Sequence, residues 1–396
     1  MDSLESKVTV TSSELEEDRF SRFELIGWWK QDVLSKAKVL VIGAGALGNE
    51  ILKNLALLGV GHIVVIDMDN IEMSNLSRSV LFREEDIGRS KAEVAAQRVC
   101  EIYPQCRIKA ITANVMYDVG LGLVGWADVV IGALDNREAR LWINRSAWKM
   151  NRPWIDGAIE GINGVVRVFM PGRAPCYECT LGERDWEILA KRMSCNLLTR
   201  EQMEGGKTPT TPTTSSVIAG IQVQEAIKLL HGMPCLAGKG FVFEGMNHTS
   251  YLVEYTANDD CMSHEIFEAV LEWPKKSDET TVGDLLDFAR SELRAADVVL
   301  EFSRDIIWKL KCHKCGEETE VFSSAGKLRT SDGLCPKDGE MRDVITMHSY
   351  GGRGGLEQKT VASLGLPLWD VITIRSDTNV RQIIMSADMS AAQMPD

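Results

Sequence analysis

Apolar runs alternate with amphipathic stretches over the first 160 residues of the chain. The apolar runs are short and rich in Val and Ile, as in KVLVIG at 38–43 and ADVVIGA at 127–133, which is typical of strands buried on both faces. The expected strands are 38–43, 62–67, 107–112, 127–133 and 153–156, and the expected helices are 19–34, 46–58, 88–102 and 137–150. This alternation predicts an α/β fold with a doubly wound, mainly parallel Rossmann-like sheet.

The pattern changes after residue 161, where apolar segments come in pairs. GVVRVFM at 164–170 is followed much later by GFVFEGM at 240–246 and SYLVEYT at 250–256, and a helix is expected at 216–230. Paired strands of this kind predict an antiparallel extension of the parallel sheet. Cysteines lie between them, so we expect this extension to carry a zinc knuckle.

Composition narrows the class of protein. The chain has 396 residues, 44% of them hydrophobic, and a net charge of −13, which argues against nucleic acid as a partner. No apolar run approaches the roughly 18 residues that a membrane span needs, and the polar N-terminus resembles no targeting segment. Ten cysteines that include two C-x-x-C pairs suggest metal sites in a reducing compartment. We therefore expect a cytoplasmic protein that binds neither nucleic acid nor membrane.

A glycine-rich turn follows the first predicted strand. Gly43, Gly45 and Gly48 form G-x-G-x-x-G directly before a helix, an arrangement that lets a phosphate approach the helix N-terminus. Asp67 ends the next strand, where an acidic side chain typically binds ribose hydroxyls. Taken alone, these features also describe an NAD- or FAD-dependent oxidoreductase.

Further polar residues are expected at the same edge of the sheet. Asn75 and Arg78 follow the second strand, Lys91 begins the next helix, and Asp135 and Asn136 follow the strand at 127–133. Hydride transfer does not require these basic side chains or this carboxylate. Phosphoryl or nucleotidyl transfer does, because it needs cations to bind the phosphates and a carboxylate to bind magnesium.

In this order and spacing, the motifs R-F-S-R, G-x-G-x-x-G, D-x-D, S-N-L-x-R, G-x-x-K and D-N resemble the ubiquitin-activating and ThiF/MoeB-type adenylyltransferases. The resemblance covers residues 18–264. It implies ATP-dependent adenylation of the C-terminal glycine of a small ubiquitin-like protein, with Mg2+ as cofactor, in a homodimer that serves a conjugating enzyme. Ubiquitin-fold modifier activators and bacterial activating enzymes for ubiquitin-like proteins are the subgroups it is most similar to.

The same resemblance assigns the site residues. It implies that Asp67 binds the ribose, that Asn75, Arg78 and Lys91 hold the phosphates, and that Asp135 binds magnesium. Arg22 is implied to reach across a dimer into the partner's site. The implied nucleotide-binding set is Gly43, Gly45, Gly48, Asp67, Asp69, Asn75, Arg78, Lys91, Asp135 and Asn136.

Two cysteine clusters are candidate zinc (Zn2+) sites. Cys176 and Cys179 form one half of the first site, and the resemblance implies that Cys261 and His264 form the other, with histidine in place of the usual cysteine. The second cluster has the spacing of a zinc ribbon, with an aspartate where a cysteine is usual. It comprises Cys312, Cys315, Cys335 and Asp338. His313 and His348 are alternative fourth ligands, and a ribbon that has lost its metal is the other interpretation.

The chain departs from the resembled enzymes at the thioester cysteine. The run TPTTPTT at 208–214 is very similar to the segment that follows this cysteine, but Lys207 occupies the expected position. Cys195 is the nearest upstream thiol, and basic neighbours such as Arg192 favour a reactive thiolate. We predict that Cys195 accepts the modifier as a thioester. The alternative is adenylation alone, for sulfur carriers in thiamine, molybdopterin or thiolation pathways.

These features divide the chain into parts. We expect a disordered leader at 1–17, an ATP-binding adenylation domain at 18–264 with a crossover loop at 194–214, a linker at 265–280 and a small C-terminal α+β domain at 281–396. The last domain either resembles the β-grasp modules that recruit conjugating enzymes or serves dimerisation or substrate docking. A scaffold without catalytic activity is a third hypothesis beside the adenylyltransferase and the oxidoreductase.

Overall fold

The computed structural model describes residues 18–194, 209–324 and 327–391. The predicted leader at 1–17 therefore lies outside the described residues. Among the helices of the described ranges, none is long and apolar enough to cross a membrane.

Helices and strands follow one another much as the hydrophobic pattern predicts. The strands are β1 (Lys38–Ile42), β2 (His62–Ile66), β3 (Arg107–Ile111), β4 (Val129–Gly132), β5 (Trp154–Glu160), β6 (Asn163–Phe169), β7 (Lys239–Glu244), β8 (Thr249–Glu254), β9 (Val270–Trp273), β10 (Val299–Lys311), β11 (Glu318–Ser324), β12 (Asp343–Tyr350), β13 (Val371–Arg375) and β14 (Val380–Met385). The helices are α1 (Gln31–Lys36), α2 (Ala46–Leu57), α3 (Lys91–Ile102), α4 (Val115–Asp118), α5 (Leu121–Trp126), α6 (Arg137–Lys149), α7 (Glu183–Ser194), α8 (Pro212–Leu230), α9 (Val282–Leu293) and α10 (Asp388–Ala391).

The first sheet has eight strands in the order β3-β2-β1-β4-β5-β6-β7-β8. Strands β1 to β5 are parallel, and β6, β7 and β8 continue the sheet in antiparallel pairing. Ile42 at the end of β1 pairs with Ile66 of β2 and Gly132 of β4, so the carboxyl ends of the three strands meet at one edge. Apolar clusters cover both faces of this sheet, which confirms the predicted mainly parallel α/β fold with an antiparallel extension.

The second sheet runs β11-β10-β13-β14-β9, with β12 paired to β10. Helix α9 covers it, and Leu285, Leu286 and Ala289 enter its core. Thr281 caps this helix, since its hydroxyl accepts from the Asp284 backbone N–H at 3.0 Å while the Asp284 carboxylate accepts from the N–H of Thr281.

The linker predicted at 265–280 needs correction. It contains β9, which pairs in parallel with β14 at the edge of the second sheet. The second sheet therefore includes a strand that precedes residue 281, the expected start of the C-terminal domain. Helix α8 also begins earlier than predicted, at Pro212 inside the expected crossover loop, because Thr211 caps it: its hydroxyl accepts from the N–H of Thr214 at 3.3 Å. Residues 195–208 of that loop lie outside the described residues.

The two sheets are joined through a buried polar contact between α5 and the segment before β13. Asp370, which is 4% exposed, accepts from the N–H of Leu121 at 2.9 Å and from the Ser303 hydroxyl. Arg304 donates to the carbonyls of Met116 and Val119 at 2.8 and 2.7 Å. The second domain is thus joined to the first by hydrogen bonds to a buried carboxylate and from a largely buried guanidinium group.

Replacing Asp370 by Ala is expected to loosen this junction. The N–H of Leu121 and the hydroxyl of Ser303 lose a buried acceptor, which costs about 1–3 kcal/mol for a group left unsatisfied. Urea unfolding followed by tryptophan fluorescence measures the loss, and hydrogen exchange at Leu121 and Gly122 locates it. Asp377→Ala, which removes an exposed aspartate, serves as control and is expected within about 0.5 kcal/mol of the parent. Equal exchange in both variants contradicts the proposed role of the contact.

Candidate functional site

The glycine-rich turn connects β1 to α2 at the carboxyl edge of the first sheet. Gly43 has a φ of +99°, and a Cβ added there would lie 2.3 Å from the carbonyl oxygen of Ala133. A Cβ on Gly48 would lie 1.9 Å from the carbonyl oxygen of Gly43. By contrast, the space above Gly45 is open to at least 4 Å. The turn thus packs tightly against the end of β4 and leaves room at the N-terminus of α2, where free N–H groups attract anions.

Asn49 holds this turn in place and is a residue that the sequence analysis missed. It is fully buried, donates to the carbonyls of Ala44 and Gly45 at 2.7 and 3.0 Å, and accepts from the N–H of Leu81 at 2.9 Å. A polar residue among the apolar positions of α2 is the signal that could have revealed it.

Asp67 lies at the end of β2, beside the glycine-rich turn. Its carboxylate accepts from the N–H of Ala44 at 2.7 Å and from the N–H of Asp69 at 2.8 Å. Burial raises the pKa of Asp67, while the nearby charge of Lys91 opposes this shift. Lys91 is itself buried and forms an ion pair with Asp69, with its Nζ 2.8 Å from Oδ2. The structure therefore brings the glycine-rich turn, both aspartates and Lys91 together.

Asn75 and Arg78 lie in the loop that follows Asp69. Asn75 is 9% exposed and accepts from the N–H of Glu72 at 2.9 Å, and Arg78 donates to the carbonyl of Ser74 at 2.5 Å. A backbone bridge between residues 70 and 90 ties the start of this loop to the start of α3. The hydrogen bond from the N–H of residue 81 to Asn49 ties its end to α2. Both predicted phosphate ligands are thereby held at the edge that carries the glycine-rich turn.

Asp135 and Asn136 follow β4 at the same edge. Asp135 is exposed, and Asn136 caps α6, because its side-chain oxygen accepts from the N–H of Ala139 at 2.8 Å. The contact between the Ala133 carbonyl and Gly43 places the start of this loop directly against the glycine-rich turn. The Asn136 side-chain N–H2 donates to Asp135 Oδ1 at 3.5 Å, a long bond, so the exposed Asp135 carboxylate keeps most of its capacity to accept a ligand.

A buried charge cluster supports the Asp135 loop and was not predicted. Asp156, which is fully buried, accepts from Arg140 at 2.9 Å and from Arg167 at 2.9 Å. Arg140 also donates to the carbonyl of Leu134, the residue that precedes Asp135. One carboxylate between two guanidinium groups therefore fixes the backbone next to the predicted magnesium ligand.

Arg22 lies far from the glycine-rich turn of its own chain. Residues 18–30 pack at the opposite end of α2, where the ring of Phe20 lies against Gly59 and Tyr103. The 12 residues of α2 span about 18 Å. Arg22 is exposed and its role in a partner's site stays a prediction.

The first cysteine cluster has the geometry of a metal site. One ligand atom from each of Cys176, Cys179, Cys261 and His264 lies within 4.8 Å of the others. Cys179 Sγ lies 3.4 Å from His264 Nε2, and the imidazole stacks on Trp148 at 4.4 Å. Thiolate and imidazole ligands in such a set suit tetrahedral zinc, so the residues fit the predicted metal. The second set, Cys312, Cys315, Cys335 and Asp338, is equally close.

The candidate nucleophile Cys195 lies outside the described residues. The chain resumes at Pro209, whose carbonyl accepts from the N–H of Gly161 at 2.8 Å. Gly161 directly follows the carboxyl end of β5. The chain that follows the Cys195 segment is thus fixed at the same edge of the sheet as the glycine-rich turn.

A parallel sheet with a glycine-rich turn, an acidic residue after β2 and basic residues at the carboxyl edge is typical of nucleotide-binding α/β proteins. The ThiF family matches residues 18–263. Since this match covers more than half of the chain, the protein belongs to the ThiF family, and the predicted resemblance to ubiquitin-activating and ThiF/MoeB-type proteins is confirmed.

Curated relatives match a little over a third of the chain. The Nedd8-activating enzyme E1 catalytic subunit of Drosophila melanogaster is 44% identical over 160 residues, which cover 37% of this chain and 35% of the relative. The SUMO-activating enzyme subunit uba-2 of Caenorhabditis elegans is 42% identical over 151 residues, 38% of this chain and 26% of the relative. The chain thus spans about a quarter to a third of the length of these relatives.

A solved structure supports the fold. The crystal structure of E. coli MccB with ATP has a TM-score of 0.53 and 25% sequence identity, and the match covers 63% of this chain and 74% of that chain. A likeness over this share of the chain supports the α/β fold described above.

Ala substitutions at Gly48, where a Cβ would collide, and at Gly45, where the space is open, are predicted to affect stability differently. Gly→Ala inside a helix ordinarily gains up to about 1 kcal/mol, but in Gly48→Ala the Cβ collides with the Gly43 backbone, and such overpacking costs about 1–3 kcal/mol. We expect Gly48→Ala to be destabilised in thermal unfolding. Gly45→Ala, its matched control, meets no atom within 4 Å and is expected to unfold at the temperature of the parent. Equal melting temperatures for the two variants contradict this account of the turn.

Proposed function

We propose that this protein uses ATP to adenylate the C-terminal carboxylate of a small ubiquitin-like protein. The observation that carries the proposal is the meeting of an open glycine-rich turn with Asp67, Lys91 and the exposed Asp135 at one edge of the sheet. The turn offers N–H groups to phosphate, and the three side chains surround it with the charges that nucleotidyl transfer needs.

ATP is expected to lie along this edge with its ribose at Asp67. The two backbone donors of that carboxylate leave lone pairs on both oxygens for ribose hydroxyls. The phosphates extend over Gly45 towards Asn75, Arg78 and Lys91. Asp135 offers the hard carboxylate oxygen that magnesium prefers, and Arg140 holds its loop in place through the Leu134 carbonyl.

The reaction joins two anions. One oxygen of the incoming carboxylate attacks the α-phosphorus and forms a new O–P bond. The bond between the α-phosphorus and the oxygen that bridges it to the β-phosphorus breaks, and pyrophosphate leaves. No general base is needed, because a C-terminal carboxylate is ionised at neutral pH. Lys91 and Arg78 offset the negative charge, and Arg22 of a second copy adds to them if the protein is a homodimer. Magnesium supplies charge neutralisation when bound.

The relatives support the class of substrate. Two curated relatives are named for activation of Nedd8 and of SUMO. Following the family resemblance seen in the sequence, we propose that the substrate ends in glycine and that the second domain recruits a conjugating enzyme in the cytoplasm. Activation of a sulfur carrier in a thiamine, molybdopterin or thiolation pathway is the alternative, and it uses the same first step.

Transfer to Cys195 is the second part of the proposal. The carboxyl carbon of the adenylate is attacked by the thiolate, a thioester forms and AMP leaves. Support comes from the segment that follows, since Pro209 is fixed beside the end of β5. On the other side of Cys195 in the chain, helix α7 ends at Ser194.

The Asp135→Ala variant is expected to lose ATP–pyrophosphate exchange. With Mg-ATP and a glycine-tailed ubiquitin-like protein, the parent exchanges labelled pyrophosphate into ATP, and removing the metal ligand lowers the rate by about 100-fold or more. Asp278→Ala, which removes an exposed aspartate of the second domain, is the control and retains the parental rate.

Two outcomes of this assay bear on the assignment. No exchange by the parent with any glycine-tailed partner overturns the proposed activity, and full exchange by Asp135→Ala overturns the role of that carboxylate. The Gly45→Ala variant distinguishes a loss of ATP binding from a loss of folding. Its side chain fills the space assigned to the phosphates, and it is expected to leave the fold intact because it meets no other atom.

The Cys195→Ala variant tests the thioester. With Mg-ATP and the modifier, the parent is expected to form an adduct that survives a non-reducing gel and is cleaved by thiols. Cys195→Ala loses the adduct but keeps pyrophosphate exchange. Cys100→Ala is the matched control, because Cys100 is an exposed free thiol whose pKa is raised by partial desolvation and by the charge of Glu101. Exchange without any adduct in the parent favours the sulfur-carrier alternative.

A further inference from the structure

Two matching turns face each other at the tip of the second domain, outside the part of the chain that the ThiF family covers. In the first turn, the N–H of Gly316 donates to the carbonyl of Cys312 at 2.9 Å and the N–H of Cys312 donates to the carbonyl of Glu317 at 2.8 Å. The second turn repeats both bonds at the same lengths, from Gly339 to Cys335 and from Cys335 to Glu340. The glycines have φ values of +75° and +73°.

The two turns are also joined by reciprocal ion pairs. Lys314 of the first turn binds Glu340 of the second at 2.9 Å, and Lys337 of the second binds Glu317 of the first at 2.6 Å. Each lysine is the third residue of its turn and each glutamate the sixth. The two turns are therefore related by a two-fold pseudosymmetry, in which Asp338 takes the position that Cys315 has in the first turn.

We propose that Cys312, Cys315, Cys335 and Asp338 bind one zinc ion, with Asp338 as a true ligand in the position of a fourth cysteine. The spacing fits this set. Tetrahedral zinc with a thiolate at about 2.3 Å and a carboxylate oxygen at about 2.0 Å places sulfur and oxygen about 3.5 Å apart. Cys312 Sγ lies 3.5 Å from Asp338 Oδ2, and Cys315 Sγ lies 3.5 Å from Cys335 Sγ.

The structure also decides between the candidate fourth ligands. Among the described residues, the group whose ligand atoms all lie within 4.8 Å of one another includes Asp338 but neither His313 nor His348. The N–H of Glu340 donates to Asp338 Oδ1 at 3.1 Å. This hydrogen bond engages Oδ1 and holds the carboxylate in one orientation, with Oδ2 facing Cys312.

The metal supports a part of the fold that has little core of its own. From Ile306 onwards, β10 no longer pairs with β13 and pairs only with β11 and β12 among the described strands. Among the described residues, its apolar cluster has three buried members, Ile307, Leu310 and Leu328, with the partly buried Val321, Met341 and Val344 packed against them. A core of this size cannot offset the ordering of three strands, so we infer that zinc is needed to hold this three-stranded ribbon.

Zinc content of the full chain tests the proposal. Elemental analysis of the parent is expected to give two equivalents, one for each cysteine cluster. Asp338→Ala falls to one equivalent, and Asp338→Cys keeps two and releases the second more slowly to a chromogenic chelator. Asp343→Ala is the matched control, because it removes an exposed aspartate of the same ribbon, and it keeps two.

Hydrogen exchange provides a readout that does not depend on the Ala variant folding well. Loading the parent with zinc is expected to protect amides of β11 and β12 that exchange when the chelator removes the metal, while those of β1 and β4 stay protected. Two equivalents with unchanged release in Asp338→Ala overturn the ligand assignment. One equivalent in the parent that rises to two in Asp338→Cys shows instead a ribbon that has lost its metal.

Discussion

The close approach of two backbones at the end of β1 is the constraint on which the site depends. A side chain on Gly43 would collide with the carbonyl of Ala133, and one on Gly48 would come even closer to the carbonyl of Gly43. Because the turn is this tight, α2 starts directly above the carboxyl end of β1 and aims its free N–H groups at the space over Gly45. A wider turn would move the helix N-terminus, and with it the anion site, away from Asp135.

Charge at this edge is arranged in two clusters. The buried Lys91 forms an ion pair with the exposed Asp69 beside β2. On β5, Asp156 is buried between two arginines. A buried ion pair adds little net stability, but every oxygen of Asp156 is bonded, so it holds the Asp135 loop in one conformation. Preorganisation of this kind costs free energy during folding and saves it during the reaction.

Much of the fold was predictable because parallel strands are apolar along their whole length. The strands from β1 to β5, the glycine-rich turn, the Cys176–Cys179 pair and the second cysteine cluster follow from local pattern, whereas Cys261 and His264 were implied only by the family resemblance. β9 was not predictable, since its residues are mixed in character and its partner β14 lies more than 100 residues away. The Asp156 cluster was missed for a related reason: charged residues predict surface unless their partners are known, and Arg140 meets Asp156 only in three dimensions.

The two cysteine clusters stabilise the protein in different ways. Cys176 and Cys261 are 85 positions apart, and Cys315 and Cys335 are 20 apart. Loop closure alone favours the longer loop by only about 1.2 kcal/mol, since each doubling is worth about 0.6 kcal/mol. The core beside each cluster differs far more. The first cluster lies against Trp148 and the large apolar face of the first sheet, whereas the ribbon has three buried apolar residues. Dependence on metal should therefore follow the size of the local core rather than the length of the loop, and the ribbon should be the first part of the molecule to unfold when zinc is removed.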